Sequence, residues 1–568
     1  MISIQKHSRG LLMSAVEGKI DNALVRRLED YIGGDRLLSI RGGLVAPLDA
    51  AADVLDVCDE KGARWDEDLL RRAHEQAAHR SLQLAARIEV ARALDDPYTA
   101  LASYERLSRL DPHQVSAVAA MSAPSLKGLG LFDEQGSGKT IMVLAAFDWL
   151  RQLGTVERLL VVAPKSVLGS WRAECESFLD GKYGVILVDG SAAERRRAIQ
   201  RPHDILLISY DGAWREQGLL KMVVAARANT YMLAVDESYF VKNAETARAQ
   251  AIATIRPHCE RAIVLCGTPA PNSAVDVVNQ ITIADGGVAF AGRTLPADPD
   301  AAEAAIAVAL DKTIYLRRLK EDIFPDIPKK NIERVSMEFV GAQKVLYDRA
   351  HDELVVAVRS VDDRGFTRHL ASFLARRMAL LQICSNPRVL DPLYNEEPAK
   401  LLAMDRLLGE LIERDGKKVV VWSYFQYSLQ AIVDRYEHLG VVRIDGTVSD
   451  VEARMDAIRR FQADPGVRLF VGNAGAAGAG ITLTAAHHAI YESFSNQAVH
   501  YMQSVDRIHR RGQQHDVTYH VLLAHDTIEE REFDRLLQKE HAGRQLLGDK
   551  YEEPMTRARF LEELSVAA

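Results

Sequence analysis

Between positions 133 and 140 the chain reads Asp-Glu-Gln-Gly-Ser-Gly-Lys-Thr, and the four residues that follow, Ile141 to Leu144, are all apolar. Two glycines two positions apart let the backbone turn its N–H groups toward a common point with no Cβ in the way, and the apolar run begins a helix whose positive end faces that point. A loop of this kind holds phosphate oxygens. Glu134, Gln135, Gly136, Ser137 and Gly138 form the cradle, Lys139 reaches the β- and γ-phosphates, and the Thr140 hydroxyl reaches a Mg²⁺ ion. An ordinary helix-entry turn needs neither the lysine nor the hydroxyl at those positions. The full phosphate-loop pattern has a further glycine where Asp133 stands.

Short apolar strands alternate with helices from about residue 105 to 283 and again from about 331 to 545, which predicts an α/β fold of two lobes with parallel sheets. In the first, Leu233-Ala234-Val235-Asp236-Glu237 reads as a buried strand ending in two carboxylates. One acid at such a strand end can hold Mg²⁺ while the next polarises the attacking water; Asp236 takes the metal role and Glu237 the base role. In isolation the pair could equally be a solvated turn or a helix cap. The phosphate loop upstream favours the catalytic reading.

Near the other end, Gln503, Asp506, Arg507, His509, Arg510, Gly512 and Gln513 crowd polar groups where an amphipathic helix would show apolar periodicity. The planar forks of Arg507 and Arg510 can neutralise charge developing on a transferring γ-phosphoryl group, and a second lobe delivers them only when the cleft closes. The bland alternative is a solvated basic helix end.

In this order, the segments resemble the SWI/SNF-like branch of superfamily-two helicases over roughly residues 105 to 532. The resemblance implies two RecA-like lobes with parallel sheets, helical insertions and a small N-terminal accessory domain. It also implies ATP and Mg²⁺ as cofactors, double-stranded DNA as partner, and translocation along DNA rather than strand separation. Leu110-Asp111-Pro112-His113-Gln114 is similar to the family's adenine-reading segment, with Gln114 as the base contact. Ala163 to Trp171 is similar to the segment that grips the DNA backbone, which implies Lys165, Ser166 and Trp171 as DNA contacts. Leu265 to Asn272 resembles the segment that couples ATP state to that grip, with Thr268 on the DNA. Leu316 to Asp322 and Asp326-Ile327-Pro328 resemble the connection between lobes, and Gln382 to Pro387 is a family-specific segment. Val419 to Phe425 reads as a buried strand, Ile444-Asp445-Gly446-Thr447 as a strand-to-turn junction, and Gly478 to Ala486 as the glycine-rich segment facing both DNA and nucleotide. By resemblance Thr447, Gly478 and Thr482 contact nucleic acid, and Gln503 to Gln513 is the arginine-finger motif.

Four positions depart from the family pattern. Tyr239 stands where the acidic box usually has histidine and Cys266 where threonine is common, changes that bear on coupling rather than hydrolysis. Ala477 replaces a glycine and Ser238 an alanine, small for small.

At 568 residues, with 48% hydrophobic and 26% charged residues, the chain has the composition of several globular domains. No apolar run is long enough to span a bilayer and the N-terminus lacks a signal-peptide pattern, so the expectation is a cytoplasmic protein with no membrane contact. Cys58, Cys175, Cys259, Cys266 and Cys384 are scattered without Cys-x-x-Cys pairing, which predicts no zinc and no disulfide frame. A net charge of −8 excludes coating of nucleic acid by bulk attraction, so DNA contact requires a local positive groove. Lys165, Arg172, Lys242, Arg317, Arg318, Lys320, Lys329 and Lys330 are candidates, each with a solvated surface charge as the alternative. The doublets Arg317-Arg318 and Lys329-Lys330 could equally flank the interlobe hinge.

The expected organisation is an accessory region over 1–104, a first lobe with a helical insertion and the interlobe connection over 105–328, a second lobe with its own insertion over 329–548, and a terminal helix over 549–568. Residues 301–313 and the amphipathic runs of 342–384 read as helices, and 284–300 as an exposed loop. In the accessory region, helices are expected at 26–31 and 69–94, and a turn with a short strand at 41–47. That region loosely resembles one found before the motor in compact bacterial and phage members of the family, and could contact a substrate or protein partner or brace the first lobe. Two other functional readings stay open: a strand-separating or RNA-directed helicase, and a slow nucleotide-switched DNA clamp.

Overall fold

In the computed structural model the described residues build three sheets in succession. The structure describes all residues except 33–35, 59–61, 271–272, 291–294, 297, 312, 449–450, 478–480, 496, 544–554 and 565–568, and the backbone alone at 49, 299, 451, 476–477, 539 and 541–543. Among the described residues no helix is long and apolar enough to cross a membrane.

The accessory region contains a sheet that the sequence reading missed in part. Its strands are β1 (Ile2–His7), β2 (Gly10–Ala15), β3 (Leu38–Ile40), β4 (Gly43–Ala46) and β5 (Ala63–Trp65), in the order β3-β4-β2-β1-β5 with only β1 and β5 parallel. The hairpin β1–β2 turns through Gly10 at φ +143°, where a Cβ would fall 2.0 Å from the carbonyl oxygen of Ala46. Only glycine fits there. A helix over Glu67–Asp95, started by the Asp66 side chain accepting from the N–H groups of Asp68 and Leu69, serves two cores. Its Leu69 and Ala73 pack into the accessory core, while Ala86, Val90 and Ala93 pack into that of the next unit.

The second sheet comprises β6 (Gly128–Leu131), β7 (Arg158–Ala163), β8 (Val185–Val188), β9 (Ile205–Ser209), β10 (Tyr231–Asp236), β11 (Arg261–Leu265) and β12 (Tyr315–Leu316). The order is β12-β6-β11-β10-β7-β9-β8, with every pairing parallel. Runs such as Leu159-Leu160-Val161-Val162-Ala163 are fully buried because helices cover both faces, and each such side chain contributes about 1.5–3 kcal/mol on leaving water. The phosphate-loop segment leaves β6 and the Asp236-Glu237 pair ends β10, with β11 between them. Both therefore open beyond the carboxyl edge of one sheet.

The third sheet comprises β13 (Lys330–Met337), β14 (Val419–Trp422), β15 (Val441–Ile444), β16 (Leu469–Gly472), β17 (His488–Tyr491) and β18 (Val517–Ala524), all parallel in the order β13-β18-β17-β14-β16-β15. Two long helices, Gly341–Arg359 and Asp363–Ser385, form a hairpin before β14. A helix over Arg557–Leu564 packs on this hairpin through Phe560, whose ring centroid lies 5.5 Å from that of Phe366. The alanine-rich stretch near 301–313 is a helix over Pro299–Leu310. Part of the expected loop over 284–300 is tucked in instead. Ala289 is buried, and the Asp285 carboxylate accepts from the N–H groups of Gly287, Val288 and Ala289.

Candidate functional site: a cleft between the two parallel-sheet lobes

The loop after β6 has the backbone its glycines predict, with Gly136 at φ +88° and Gly138 at φ +83°. A Cβ at Gly138 would stand 2.4 Å from Nε2 of Gln114. Lys139, the first residue of the following helix, folds back so that Nζ donates to the carbonyl oxygens of Asp133 at 2.7 Å and Glu134 at 3.2 Å. The segment Pro112–Met121 props the loop from one side. His113 Nε2 lies 2.8 Å from Ser137 O, and Gln114 Nε2 donates to the same carbonyl at 3.4 Å while its Oε1 accepts from the Asp111 N–H at 3.0 Å.

The acid at 133, where a further glycine would complete the loop pattern, has a structural purpose. Asp133 is fully buried and its carboxylate is held by Nε of Arg318 at 3.0 Å and by Nη2 of the same residue, whose Nη1 donates to His113 O at 2.6 Å. Arg317 Nη1 donates to Gly267 O at 2.8 Å. Lys320 donates its backbone N–H to Glu134 at 2.8 Å, and its Nζ pairs with Asp506 and donates to His509 O at 2.9 Å. Lys330 pairs with Glu540. Of the two readings open for the basic doublets, the contacts of Arg317 and Arg318 fit the hinge, since both fasten the connection to the first lobe, whereas Lys330 pairs within the second lobe. Lys242, another DNA candidate, pairs with Asp276 at 2.9 Å.

At the end of β10, both Asp236 oxygens are oriented: Oδ2 accepts from Trp171 Nε1 at 2.8 Å and Oδ1 from the Glu237 N–H at 2.8 Å. Glu237 adopts the left-handed region, φ 49° and ψ 52°, and its Oε2 is buried with no hydrogen-bond partner among the described groups. Such strain and an unpaired buried acceptor concentrate at functional sites. Burial, with the neighbouring Asp236 carboxylate, pushes the Glu237 carboxyl up to about 7 against the pull of Lys139 and Arg507. Burial also raises Asp236 and lowers Lys139.

The second lobe closes the site. Arg507 is buried; Nε donates to Gln503 O at 2.8 Å and Nη2 reaches across to Gln135 Oε1 at 3.2 Å. Arg510 Nη1 donates to the Thr482 hydroxyl at 2.8 Å. Gln503 Nε2 meets the Tyr239 hydroxyl at 3.5 Å. The result is a cavity of about 360 Å³ between the lobes. Gln114, Gln135 to Thr140, Asp236, Glu237, Thr482, Arg507 and Arg510 all line it. Basic side chains with a glycine cradle suit a polyphosphate, and the oriented Asp236 with the Thr140 hydroxyl supplies hard oxygen donors of the kind Mg²⁺ takes. Sequence reasoning missed Glu174, which also lines the cavity and whose carboxyl burial pushes up to about 7. Its place three residues after Trp171 on one helix was the available signal.

The SNF2-related domain matches residues 113–389, and the helicase conserved C-terminal domain matches residues 400–512. The chain belongs to the SWI/SNF-like branch of superfamily two. A Drosophila melanogaster SWI/SNF-related matrix-associated actin-dependent regulator of chromatin, subfamily A containing DEAD/H box 1 homolog, is 27% identical over 73% of this chain and 57% of its own length. The Saccharomyces cerevisiae ISWI chromatin-remodeling complex ATPase ISW1 is also 27% identical, over 76% of this chain and 40% of its own length. The chain thus spans about half the length of these relatives. The Sulfolobus solfataricus SWI2/SNF2 ATPase core in complex with double-stranded DNA aligns at 23% identity and a TM-score of 0.34, over 81% of this chain and 97% of that one.

For this SWI/SNF-like chain the residues expected on DNA are not all in one place. Lys165 and Ser166 are exposed just beyond β7, with Lys165 paired to Asp189 at 3.0 Å. Thr447 is exposed beyond β15 and donates to the Asp445 carboxylate. Thr482 faces the interlobe cavity. Two of the expected DNA residues lie inside the fold. Trp171 is buried, and its indole N–H is taken up by Asp236. Thr268 is 4% exposed, walled in where β11 meets the connection, and does not present its hydroxyl at a surface. Gly478 lies outside the described residues. The family-divergent Tyr239 is packed at 4.5 Å on Phe240, and Cys266 is fully buried, its thiol pushed up to about 12 by burial.

Proposed function

We propose that the protein is an ATP-hydrolysing translocase on double-stranded DNA. The observation that carries this reading is the Arg507–Gln135 contact, which brings the arginines of one lobe over the cavity that holds Lys139, Asp236 and Glu237 on the other. On this reading Gln135 to Lys139 bind the triphosphate, and Lys139 exchanges its two loop carbonyls for phosphate oxygens. Thr140 and Asp236 would hold Mg²⁺, which supplies neutralisation of phosphate charge. Glu237 accepts the proton of a water whose oxygen attacks the γ-phosphorus, the bond to the bridging oxygen of ADP breaks, and Arg507 and Arg510 stabilise the spreading charge. Loss of phosphate removes the anion that both lobes grip, so the cleft reopens and lobe 2 shifts along the duplex.

Lys165 and Ser166 on one lobe and Thr447 on the other are among the exposed groups that would track the DNA backbone, a mode that carries little sequence preference. The decisive experiment measures ATP turnover with duplex DNA, RNA and no nucleic acid, together with displacement of a third strand from a triplex. Strong stimulation by duplex DNA, loss of stimulation with salt, and triplex displacement without unwinding are expected. Better stimulation by RNA, or unwinding of a fork without triplex displacement, would replace this reading with a helicase; slow turnover at saturating DNA would replace it with a nucleotide-switched clamp.

A further inference from the structure

One contact across the cleft has no part in that chemistry. Arg511, the neighbour of Arg510 on lobe 2, grips both carboxylate oxygens of Asp111 on lobe 1, with Nη2 at 3.0 Å from Oδ1 and Nη1 on Oδ2. Asp111 is the N-cap of the helix Pro112–Met121, and its backbone N–H donates to Gln114 Oε1 at 3.0 Å. Gln114 and Arg511 line the same cavity. The interlobe contacts Arg507–Gln135 and Gln503–Tyr239 lie beside the phosphate loop and the acidic pair. The Asp111–Arg511 pair instead sits where Gln114 would read the base.

Gln114 is not free to meet a base without disturbing this arrangement. Its Oε1 holds the Asp111 N–H and its Nε2 leans on Ser137 O, so turning the amide onto a purine edge changes the support of Asp111. The arginine fork matches a carboxylate bidentately in a narrow range of orientations, so a tilt of Asp111 is felt by Arg511 on the other lobe. Arg511 keeps 60% of its side chain exposed, and an ion pair in that setting biases an equilibrium and does not lock it.

We propose that Asp111 and Arg511 couple base recognition by Gln114 to closure of the lobes, so that the cleft shuts on the right nucleotide more readily than on its phosphates alone. The inference rests on the ATP reading above. It makes Arg511 a positioning residue with a part in nucleotide specificity, distinct from the arginines that face the phosphates.

The test uses the full chain carrying one fluorophore on each lobe, titrated with a non-hydrolysable ATP analogue, the matching GTP analogue and tripolyphosphate. The wild-type protein is expected to close at a lower concentration of the ATP analogue than of the other two. Arg511→Gln, and Asp111→Asn, which keeps a side chain able to cap the helix, should each raise the half-closing concentration of the ATP analogue about tenfold and leave that of tripolyphosphate unchanged. The double variant should lose no more than either single one. An unchanged value for the ATP analogue in Arg511→Gln, or an equal loss for tripolyphosphate, overturns the coupling and leaves the ATP reading intact. A wild-type protein that closes on none of the three overturns both.

Discussion

Trp171 Nε1 donates to Oδ2 of Asp236 at 2.8 Å, tying the helix after β7 to the carboxyl end of β10. A buried indole thus orients the carboxylate that would face the metal, the way outer partners of metal ligands fix their angle. Trp171→Phe keeps most of the ring's volume and removes the donor. Turnover of ATP should fall about tenfold, with a matching rise in the Mg²⁺ concentration needed for half-maximal rate, a shift of the size outer-partner mutations produce. DNA affinity in the absence of nucleotide should not change. A selective loss of DNA affinity would return Trp171 to the DNA contacts.

Lys139 and Glu237 face one cavity but should fail differently. Lys139→Ala removes the cation from the phosphate cradle and should abolish nucleotide binding or turnover, whereas Glu237→Gln keeps the shape and removes the base, so binding survives and hydrolysis stops. Titration with a fluorescent ATP analogue separates the two. Equal affinity loss in both variants would contradict the assigned roles.

Arg510 donates to Thr482 and lines the cavity, while Arg507 is bound to Gln135 across the cleft. Arg510→Ala should lower kcat by about 10³-fold with a small change in KM, as expected of an arginine finger. A near-wild-type rate would remove it from the reaction.

The raised carboxyl of Glu237 gives a pH dependence with a definite sign. The base works only when ionised, so kcat/KM should rise as pH passes upward through about 7, the value to which burial and Asp236 push it. The limb should be absent in Glu237→Gln. A rising limb centred near the ordinary glutamate range, close to pH 4.5, would mean that Glu237 is not the titrating base.

Asp133 is fully buried and its charge is met by Arg318 from the interlobe connection. Arg318→Ala leaves that carboxylate buried and unpaired, which should cost about 3 kcal/mol in chemical unfolding of the first lobe. A change below about 1 kcal/mol, the range of an exposed pair, would show that the contact carries little of the fold.

How much was readable in advance depended on how local the requirement is. A phosphate cradle demands glycines, a lysine and a hydroxyl at fixed spacing, so Gly136, Gly138, Lys139 and Thr140 announced themselves, as did the Asp236-Glu237 strand end and the polar run around Arg507 and Arg510. The two parallel sheets were legible because strands buried on both faces read as continuous apolar runs. The hairpin β1–β2 was not legible: its short strands are only partly buried, and the need for Gly10 comes from the carbonyl of Ala46, far along the chain.

Residue type and spacing in the sequence therefore determined the family, the lobes and the side chains that line the cleft of this chain. Tertiary structure alone decided which charges remain available. Lys242, Arg317, Arg318, Lys320 and Lys330 look alike in sequence, and only their distant partners, Asp276, Gly267 O, Asp133, Asp506 and Glu540, turn them into fasteners. The same holds for Trp171, whose indole faces inward because Asp236 offers an acceptor there. Burial and ion pairing depend on what the fold brings alongside, and no window of sequence contains that neighbour.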